Sequence, residues 1–161
     1  MGKLLKPDES LKKITDIDLD RLKQKGIKGL ILDLDNTVVP WGEDTPNKEI
    51  IDFVKMAKKE GFRLCLISNA QKHRVSTCGD ILEIPGIGFA KKPFPGSLRK
   101  AQKELLKLSP KEVAIVGDQI FTDILGGNMM GFYTILVKPI TKKDFIGTKV
   151  FRFLERLLDL R

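Results

Sequence analysis

The sequence predicts a three-layer, doubly wound α/β domain built on a parallel sheet. Two patterns support this prediction: several short runs are almost wholly apolar, and stretches with helical spacing of apolar residues lie between them. Strands of a parallel sheet have such runs because helices cover both of its faces. A third observation is size, since 161 residues suit one ordinary domain.

Five apolar runs are predicted to form the strands of this sheet. Branched and aromatic residues fill most of their positions, and turn-forming residues bound them, as is typical of buried strands. In chain order the predicted strands occupy residues 28–34, 62–68, 86–90, 112–117 and 133–137.

Helices are predicted between the strands, over residues 46–60, 73–83, 97–108 and 121–131. The first of these has start and stop signals. Thr45 can cap its N-terminus, Pro46 suits the first helical position and Gly61 can end it. Alternation of strand and helix along the chain is the order expected of a doubly wound sheet.

We expect the whole chain, residues 1–161, to form a single domain with a core over about residues 26–140. Residues 1–25 are predicted to be a helical N-terminal segment. Residues 145–161 place apolar residues at helical spacing with basic residues between them, which predicts an amphipathic helix. That helix can pack against the sheet, which is the simpler interpretation, or lie on an anionic membrane surface.

Composition excludes a mainly disordered chain, because 42% of residues are hydrophobic and 31% are charged. The two cysteines are too few for a disulfide scaffold or a zinc site. No apolar segment has the length that crosses a membrane, and the N-terminus lacks the apolar stretch of a secretory signal. A cytoplasmic location, with or without peripheral membrane contact, is therefore expected.

Basic residues outnumber acidic ones by 29 to 21, which gives a formal net charge of +8. Such an excess favours an anionic partner. Nucleic acid, an acidic membrane surface and a phosphorylated compound all fit this charge, and it predicts no particular oligomeric state.

Polar side chains follow the apolar runs at the places where predicted strands end. The first strand ends in Asp33 and Asp35. Carboxylates two positions apart leave a strand on the same side, so both can face one crevice beyond the sheet. Their like charges favour a bound divalent cation. Alone the pair is weak evidence, because turn-forming aspartates are common at strand ends.

Three later strand ends carry further candidates. Ser68 and Asn69 end the second strand, where the hydroxyl could donate to a phosphate oxygen or cap the next helix. Lys92 follows the third and could neutralise a phosphoryl group, although a surface lysine is the ordinary alternative. Asp118, after the fourth, is placed as an oxygen ligand, and Asp123 could hold a metal-bound water or the lysine.

In the order and spacing of these four features the chain resembles the haloacid dehalogenase (HAD) superfamily of phosphotransferases, subfamily IIIA. The four matching motifs are DLDNT at 33–37, Ser68, Lys92 before Pro93, and GDQIFTD at 117–123. More narrowly, it resembles the small YqeG-type phosphatases, which are related to mitochondrial phosphatidylglycerophosphate phosphatases. The segments that carry this likeness are GLILDLDNTVVPW, ISNAQKHRV, KKPFPG, GDQIFTDILGGN, TILVKPI and TKVFRFLERLL.

The resemblance implies a phosphatase that works through an aspartyl-phosphate. Asp33 would be the nucleophile, and Asp35 would protonate the leaving oxygen and then activate water. Mg²⁺ would be bound by the Asp33 carboxylate, the Asp35 backbone carbonyl and Asp118.

Other residues of the motifs would support this chemistry. Ser68, Asn69 and Lys92 are expected to bind the phosphoryl oxygens, with Lys92 taking up charge in the transition state. Thr37 and Asp123 are expected to hold the ligands and the lysine in place.

The intervals between the motifs also bear on the substrate. Predicted helices and strands fill them, so no room is left for the cap domain that many superfamily members carry. An open site suits a bulky substrate or a partner that completes the pocket. Residues expected at its rim are Lys72, His73, Arg74 and Trp41.

Phosphatidylglycerophosphate is the leading substrate that the resemblance implies, and an uncapped basic protein is compatible with a lipid headgroup. A terminal 3′-phosphate on nucleic acid, or another phosphorylated metabolite, is the enzymatic alternative. A non-catalytic module that binds a partner through this fold is a third hypothesis. Intact motif residues argue against it, because loss of catalysis would be expected to remove at least one.

Overall fold

The computed structural model describes residues 2–142, in which six parallel strands form one sheet. Their spatial order is β1-β6-β5-β2-β3-β4, where the strands in chain order are β1 Glu9–Leu11, β2 Gly29–Leu32, β3 Arg63–Ile67, β4 Gly86–Ile87, β5 Val113–Gly117 and β6 Tyr133–Val137. Helices lie on both faces, so the predicted α/β fold class is confirmed.

Five α-helices accompany the strands within the described residues. They are α1 Leu19–Gln24, α2 Lys48–Lys59, α3 Lys72–Leu82, α4 Pro95–Lys100 and α5 Leu125–Met130. A π-helical segment, Ala101–Leu106, continues α4, and another, Ile120–Ile124, precedes α5. Residues 2–142 contain no inserted cap domain, as the motif intervals predicted.

The central strand β2 contributes to both hydrophobic cores. Leu30 and Leu32 pack on the side of α1, α2 and α3, where Phe53 is also buried. Ile31 points to the opposite face and packs with Leu98 of α4. Successive side chains of a strand alternate between its faces, so a run that is apolar at every position is buried on both.

The boundaries of two helices differ from the prediction for local reasons. Helix α2 begins after Asn47, whose side chain accepts a hydrogen bond from the backbone N–H of Ile50 at 3.0 Å, so Asn47 is the cap and Thr45 is not. Gly61, at φ +92°, follows the C-terminal cap residue Glu60 and ends the helix as predicted. The helix predicted over 97–108 begins earlier, at Pro95, and its second half is π-helical.

The N-terminal segment predicted to be helical contains an additional strand. Although α1 and two 3-10 turns lie there, β1 adds a sixth strand at the sheet edge and pairs with β6. The side chain of Asp8 fixes this pairing, because it accepts a hydrogen bond from the backbone N–H of Thr134 at 2.8 Å. With the sequence Glu-Ser-Leu, β1 has no apolar run that could have indicated it.

The amphipathic helix predicted over 145–161 lies outside the described residues. Of the helices between residues 2 and 142, none combines the length and apolar character needed to cross a membrane.

Strand β2 lies where the strand order changes direction. The chain goes from β2 to β3 on one side and later returns to β5 on the other. Ligands of open α/β sheets bind at such a switch point, beyond the carboxyl ends of the strands. The loops after β2, β3, β4 and β5 therefore form the candidate site.

Candidate active site

The loop after β2 buries one aspartate and directs the next toward the surface. Asp33 is buried, and its backbone N–H still donates to Val116 of β5 at 2.9 Å. Asn36 then adopts a left-handed φ of +58°, which asparagine tolerates better than most residues. This turn brings Thr37 back beneath the site, with its Oγ1 3.4 Å from Asp33 Oδ2 and 3.4 Å from Asp118 Oδ1.

Lys92 joins the loops after β2 and β5. Its Nζ lies 2.6 Å from Asp33 Oδ1 and 2.5 Å from Asp123 Oδ1, and only 2% of its side chain is exposed. Asn69 holds the backbone of Lys92 on both sides: the Lys92 N–H donates to Asn69 Oδ1 at 2.8 Å, and Asn69 Nδ2 donates to the Lys92 carbonyl at 3.2 Å. The side chain of Asn69 thus anchors the lysine.

The electrostatics of this cluster keep Lys92 charged. Burial alone lowers the pKa of Lys92, but the carboxylates of Asp123 and Asp33 more than offset this and raise it above its ordinary value. Burial raises the pKa of Asp33 well above its ordinary value. Lys92 opposes that rise, and the nearby carboxylates add to it. The site is therefore rich in negative charge.

A divalent cation fits this charge. Asp33, Asp118 and Asp123 each offer a buried carboxylate oxygen, and these oxygens lie within 4.8 Å of one another. With Lys92 they leave two formal negative charges when all are ionised. Hard oxygen ligands are those that Mg²⁺ prefers. Asp35 was predicted to bind the metal only through its backbone carbonyl, and its carboxylate is not part of this cluster.

Ser68 lies beside the cluster at the end of β3. It is buried, and its Oγ accepts a hydrogen bond from the backbone N–H of Ala70 at 3.1 Å. That bond does not use the hydroxyl proton, so the side chain can still donate to a ligand.

A cleft of about 560 Å³ opens above these residues. Most of the predicted site residues line it: Asp33, Asp35, Trp41, Ser68, Asn69, Arg74 and Lys92. Asp118, Asp123 and Thr37 lie beneath it and are buried.

The predicted rim residues do not all reach the cleft. Arg74 pairs with Asp35, and Trp41 lines the opening with its ring half-exposed. Lys72 instead lines a separate cavity of about 460 Å³. His73 is exposed and lines neither cavity.

Several residues that line the cleft were not predicted from the sequence. Phe89 was assigned to the third strand, but β4 ends at Ile87 and a left-handed φ of +47° turns Phe89 outward, where it is 56% exposed. Gln119 and Thr122 also line the cleft, and the N–H of Gly42 donates to Asp35 Oδ1 at 3.0 Å. Gln119 and Thr122 lie in the motif GDQIFTD, which could have indicated them. The positions of Phe89 and Gly42 depend on loop conformation.

Gly117, the last residue of β5, makes room for Asp123. A Cβ at this position would lie 2.1 Å from Asp123 Oδ2 and 2.2 Å from its Cγ. We expect Gly117→Ala to displace the carboxylate from Lys92, to lower the phosphatase activity that the family resemblance implies and to lower the free energy of unfolding by about 1–3 kcal/mol. Urea unfolding followed by fluorescence, together with phosphate release, measures both effects.

Gly96 in α4 provides the matched control, because nothing lies within 4 Å of a Cβ added there. Gly96→Ala is expected to leave activity unchanged and stability equal or slightly higher. A Gly117→Ala protein as stable and active as the unsubstituted chain would contradict the tight packing of Asp123.

Comparison with known proteins agrees with this geometry. Residues 89–142 match the HAD-hydrolase-like family model. The chain is 36% identical over 156 residues to the probable phosphatase YqeG of Bacillus subtilis, covering 97% of this chain and 90% of that protein. It is 31% identical over 163 residues to phosphatidylglycerophosphate phosphatase 1, chloroplastic/mitochondrial, of Arabidopsis thaliana, and spans 45% of that longer protein.

Solved structures show the same fold. One neighbour is the 3-deoxy-D-manno-octulosonate 8-phosphate phosphatase of Moraxella catarrhalis, in complex with a magnesium ion, a phosphate ion and KDO. It superposes with a TM-score of 0.53 at 19% identity, covering 89% of this chain and 94% of that one. At this identity the likeness extends to the fold alone.

Proposed function

Because the chain belongs to the YqeG-type phosphatases of the HAD superfamily, we propose that it hydrolyses phosphomonoesters with Mg²⁺ through an aspartyl-phosphate at Asp33. The observation that carries this proposal is the buried Asp33 carboxylate, held 2.6 Å from Lys92 at the switch point of the sheet.

Asp33 is the proposed nucleophile. One oxygen attacks phosphorus, the bond to the leaving oxygen breaks, and the aspartyl-phosphate that forms is later hydrolysed by water. Its position at the end of β2 fixes the carboxylate against the floor of the cleft, where an incoming phosphoryl group can meet it.

Mg²⁺ would be held by the carboxylates of Asp33 and Asp118 and by the backbone carbonyl of Asp35, where it would neutralise charge and let an anionic nucleophile approach an anionic phosphate. Asp123 and Thr37 hold this arrangement: Asp123 is hydrogen-bonded to Lys92, and Thr37 contacts both Asp33 and Asp118.

Ser68 and Lys92 are proposed to bind the equatorial phosphoryl oxygens. Lys92 is charged and buried, and Ser68 retains its hydroxyl proton for a ligand. Donors fixed in a water-poor site stabilise the charge that develops in the transition state. Asn69 acts on this step by fixing the backbone of Lys92.

Asp35 is proposed to protonate the leaving oxygen and later to accept a proton from the attacking water. The proton thus passes from the carboxyl of Asp35 to the departing alcohol and is replaced from water in the second step. Its partly exposed position in the cleft suits this role.

We take phosphatidylglycerophosphate as the leading substrate. Support comes from the Arabidopsis relative, which is named phosphatidylglycerophosphate phosphatase 1. The absence of a cap within residues 2–142 and the net charge of +8 add to this support. Contact with an anionic membrane surface would follow from such a substrate, and the predicted helix over 145–161 is a candidate for it.

A phosphate-release panel tests the function. We expect Mg²⁺-dependent turnover, with a higher kcat/KM for phosphatidylglycerophosphate than for sugar phosphates, nucleotides or 3′-phosphorylated oligonucleotides. Turnover should be lost when EDTA removes the metal. Efficient phosphate release from a soluble metabolite, with none from the lipid, would contradict the assignment of phosphatidylglycerophosphate as the substrate. No release from any phosphomonoester would contradict the proposed mechanism.

A further inference from the structure

Two cations line the cleft among the described residues, and they serve different sides of it. Lys92 is bonded to Asp33 and Asp123, at the side where the phosphoryl group would be transferred. Arg74, from α3, stands at Asp35. The proposed chemistry on phosphorus uses Lys92 and the metal ligands, and it leaves the charge of Arg74 without a role.

The guanidinium of Arg74 is only partly satisfied. Its Nη2 lies 2.7 Å from Asp35 Oδ1 and its Nη1 lies 3.2 Å from Asp35 Oδ2. Nη2 also donates to the carbonyl of Glu43. Its Nε is buried and finds no acceptor among the described residues. A buried donor without an acceptor is unfavourable, so a ligand that supplied one would stabilise this side chain.

The position of Asp35 places Arg74 beside the leaving group. If Asp35 protonates the leaving oxygen, that oxygen must lie about 3 Å from its carboxyl. Because Arg74 touches the same carboxyl, whatever is attached to the leaving oxygen passes close to the guanidinium. A neutral leaving group would gain little from this neighbour, whereas an anionic one would gain a charge-assisted pair.

We infer that Arg74 is a specificity residue that recognises a second anionic group, of the phosphodiester kind, on the leaving group of the substrate. This inference rests on the proposed phosphatase function. Turning from end-on pairing with Asp35, the guanidinium can present Nε and one Nη to phosphate oxygens as a planar, bidentate pair. The turn satisfies the unpaired Nε and opens the side of Asp35 that faces the cleft.

The size of the cleft accommodates such a substrate. At about 560 Å³ it exceeds what a transferred phosphoryl group needs, and it falls in the range of sites that enclose whole small ligands. Trp41, which is half-exposed, and Phe89, which is exposed, line it, and their rings suit the carbon linker between two phosphates. A phosphodiester near a terminal phosphate occurs in the lipid headgroup and in 3′-phosphorylated nucleic acid.

Matched soluble substrates test the inference. One is glycerol 3-phosphate, and the other is glycerophosphoglycerol phosphate, which carries the additional phosphodiester of the headgroup. We expect Arg74→Gln to lower the ratio of kcat/KM for the second over the first by roughly 10- to 100-fold. Arg74→Lys should restore part of it. Arg99→Gln, which removes an exposed arginine outside the cleft, should leave the ratio unchanged.

A binding measurement separates recognition from catalysis. Glycerophosphoglycerol has the phosphodiester but no phosphomonoester, and calorimetry should detect its binding to the unsubstituted protein and to Arg99→Gln but not to Arg74→Gln. Equal loss of kcat/KM on both substrates, or unchanged binding of the diester by Arg74→Gln, would overturn the inference. Because this assay needs no turnover, it decides the role of Arg74 even if the phosphatase panel fails.

A 3′-phosphorylated dinucleotide distinguishes the two sources of the diester. If Arg74→Gln lowers kcat/KM on the glycerol-based headgroup more than on the dinucleotide, the lipid source is supported. The reverse order would support recognition of a phosphodiester and overturn the lipid assignment.

Discussion

Asp33→Asn is expected to abolish phosphate release while leaving the protein folded. Loss of a covalent nucleophile removes the pathway itself, so we expect kcat to fall on the order of 10⁴- to 10⁶-fold, as in other enzymes that form a covalent intermediate. Phosphate release measured with Mg²⁺ on the preferred substrate of the panel checks this. Asp80→Asn, a matched change at an exposed position of α3, should retain activity.

The same substitution is expected to maintain or raise the stability of the metal-free protein. Burial and neighbouring carboxylates raise the pKa of Asp33, which means that its charged form is unfavourable there. A neutral amide of the same size relieves that cost. A folded Asp33→Asn protein with substantial metal-dependent activity would contradict the assignment of the nucleophile.

Lys92→Met is expected to have the largest effect on stability. The substitution leaves Asp33, Asp118 and Asp123 buried without their cation, and breaking a buried pair in this way costs about 3–5 kcal/mol. Activity should fall by roughly 10²- to 10³-fold, because a donor to the transition state is lost. Urea unfolding at about pH 7 measures the stability change.

The pH dependence of this loss has a definite sign. A carboxyl whose pKa is raised in the folded state binds more protons folded than unfolded, so its contribution to stability is lost as pH rises. Removing Lys92 enhances that rise, so the deficit of Lys92→Met should shrink as pH falls from about 7 to 5. Lys48→Met, at an exposed surface pair, is the control and should change stability by less than about 0.5 kcal/mol. A Lys92→Met protein as stable as the unsubstituted chain at neutral pH would show that Lys92 does not balance the cluster.

Much of the fold could be predicted because its central strands are buried on both faces and are therefore apolar at nearly every position. Leu30 and Leu32 are buried in one core and Ile31 in the other, and a run that is apolar at every position is typical of a strand covered on both faces. Strand β1 could not be found in this way. Its three residues are stabilised by pairing with β6 and by the contact of Asp8 with Thr134, both of which depend on distant parts of the chain.

Part of the candidate site could likewise be predicted from the sequence, and part of it could not. Strand ends located Asp33, Lys92 and Asp118, because the carboxyl edge of a parallel sheet brings such residues together. Contacts between loops were not predictable. Asn69 was expected to bind phosphate, but its side chain is hydrogen-bonded to the backbone of Lys92. Arg74 was expected only at the rim, but it forms a salt bridge with Asp35. Both contacts join segments far apart in sequence, so they required the fold.

The most direct test of the central claim is to trap the phosphoryl group on the protein. Rapid acid quench during turnover with Mg²⁺, reduction of the acyl phosphate with borohydride and peptide mass spectrometry locate the modified residue. We expect the modification at Asp33 and its absence from Asp33→Asn. Modification at a different residue, or rapid turnover in which no phosphoenzyme can be trapped, would contradict nucleophilic catalysis by Asp33.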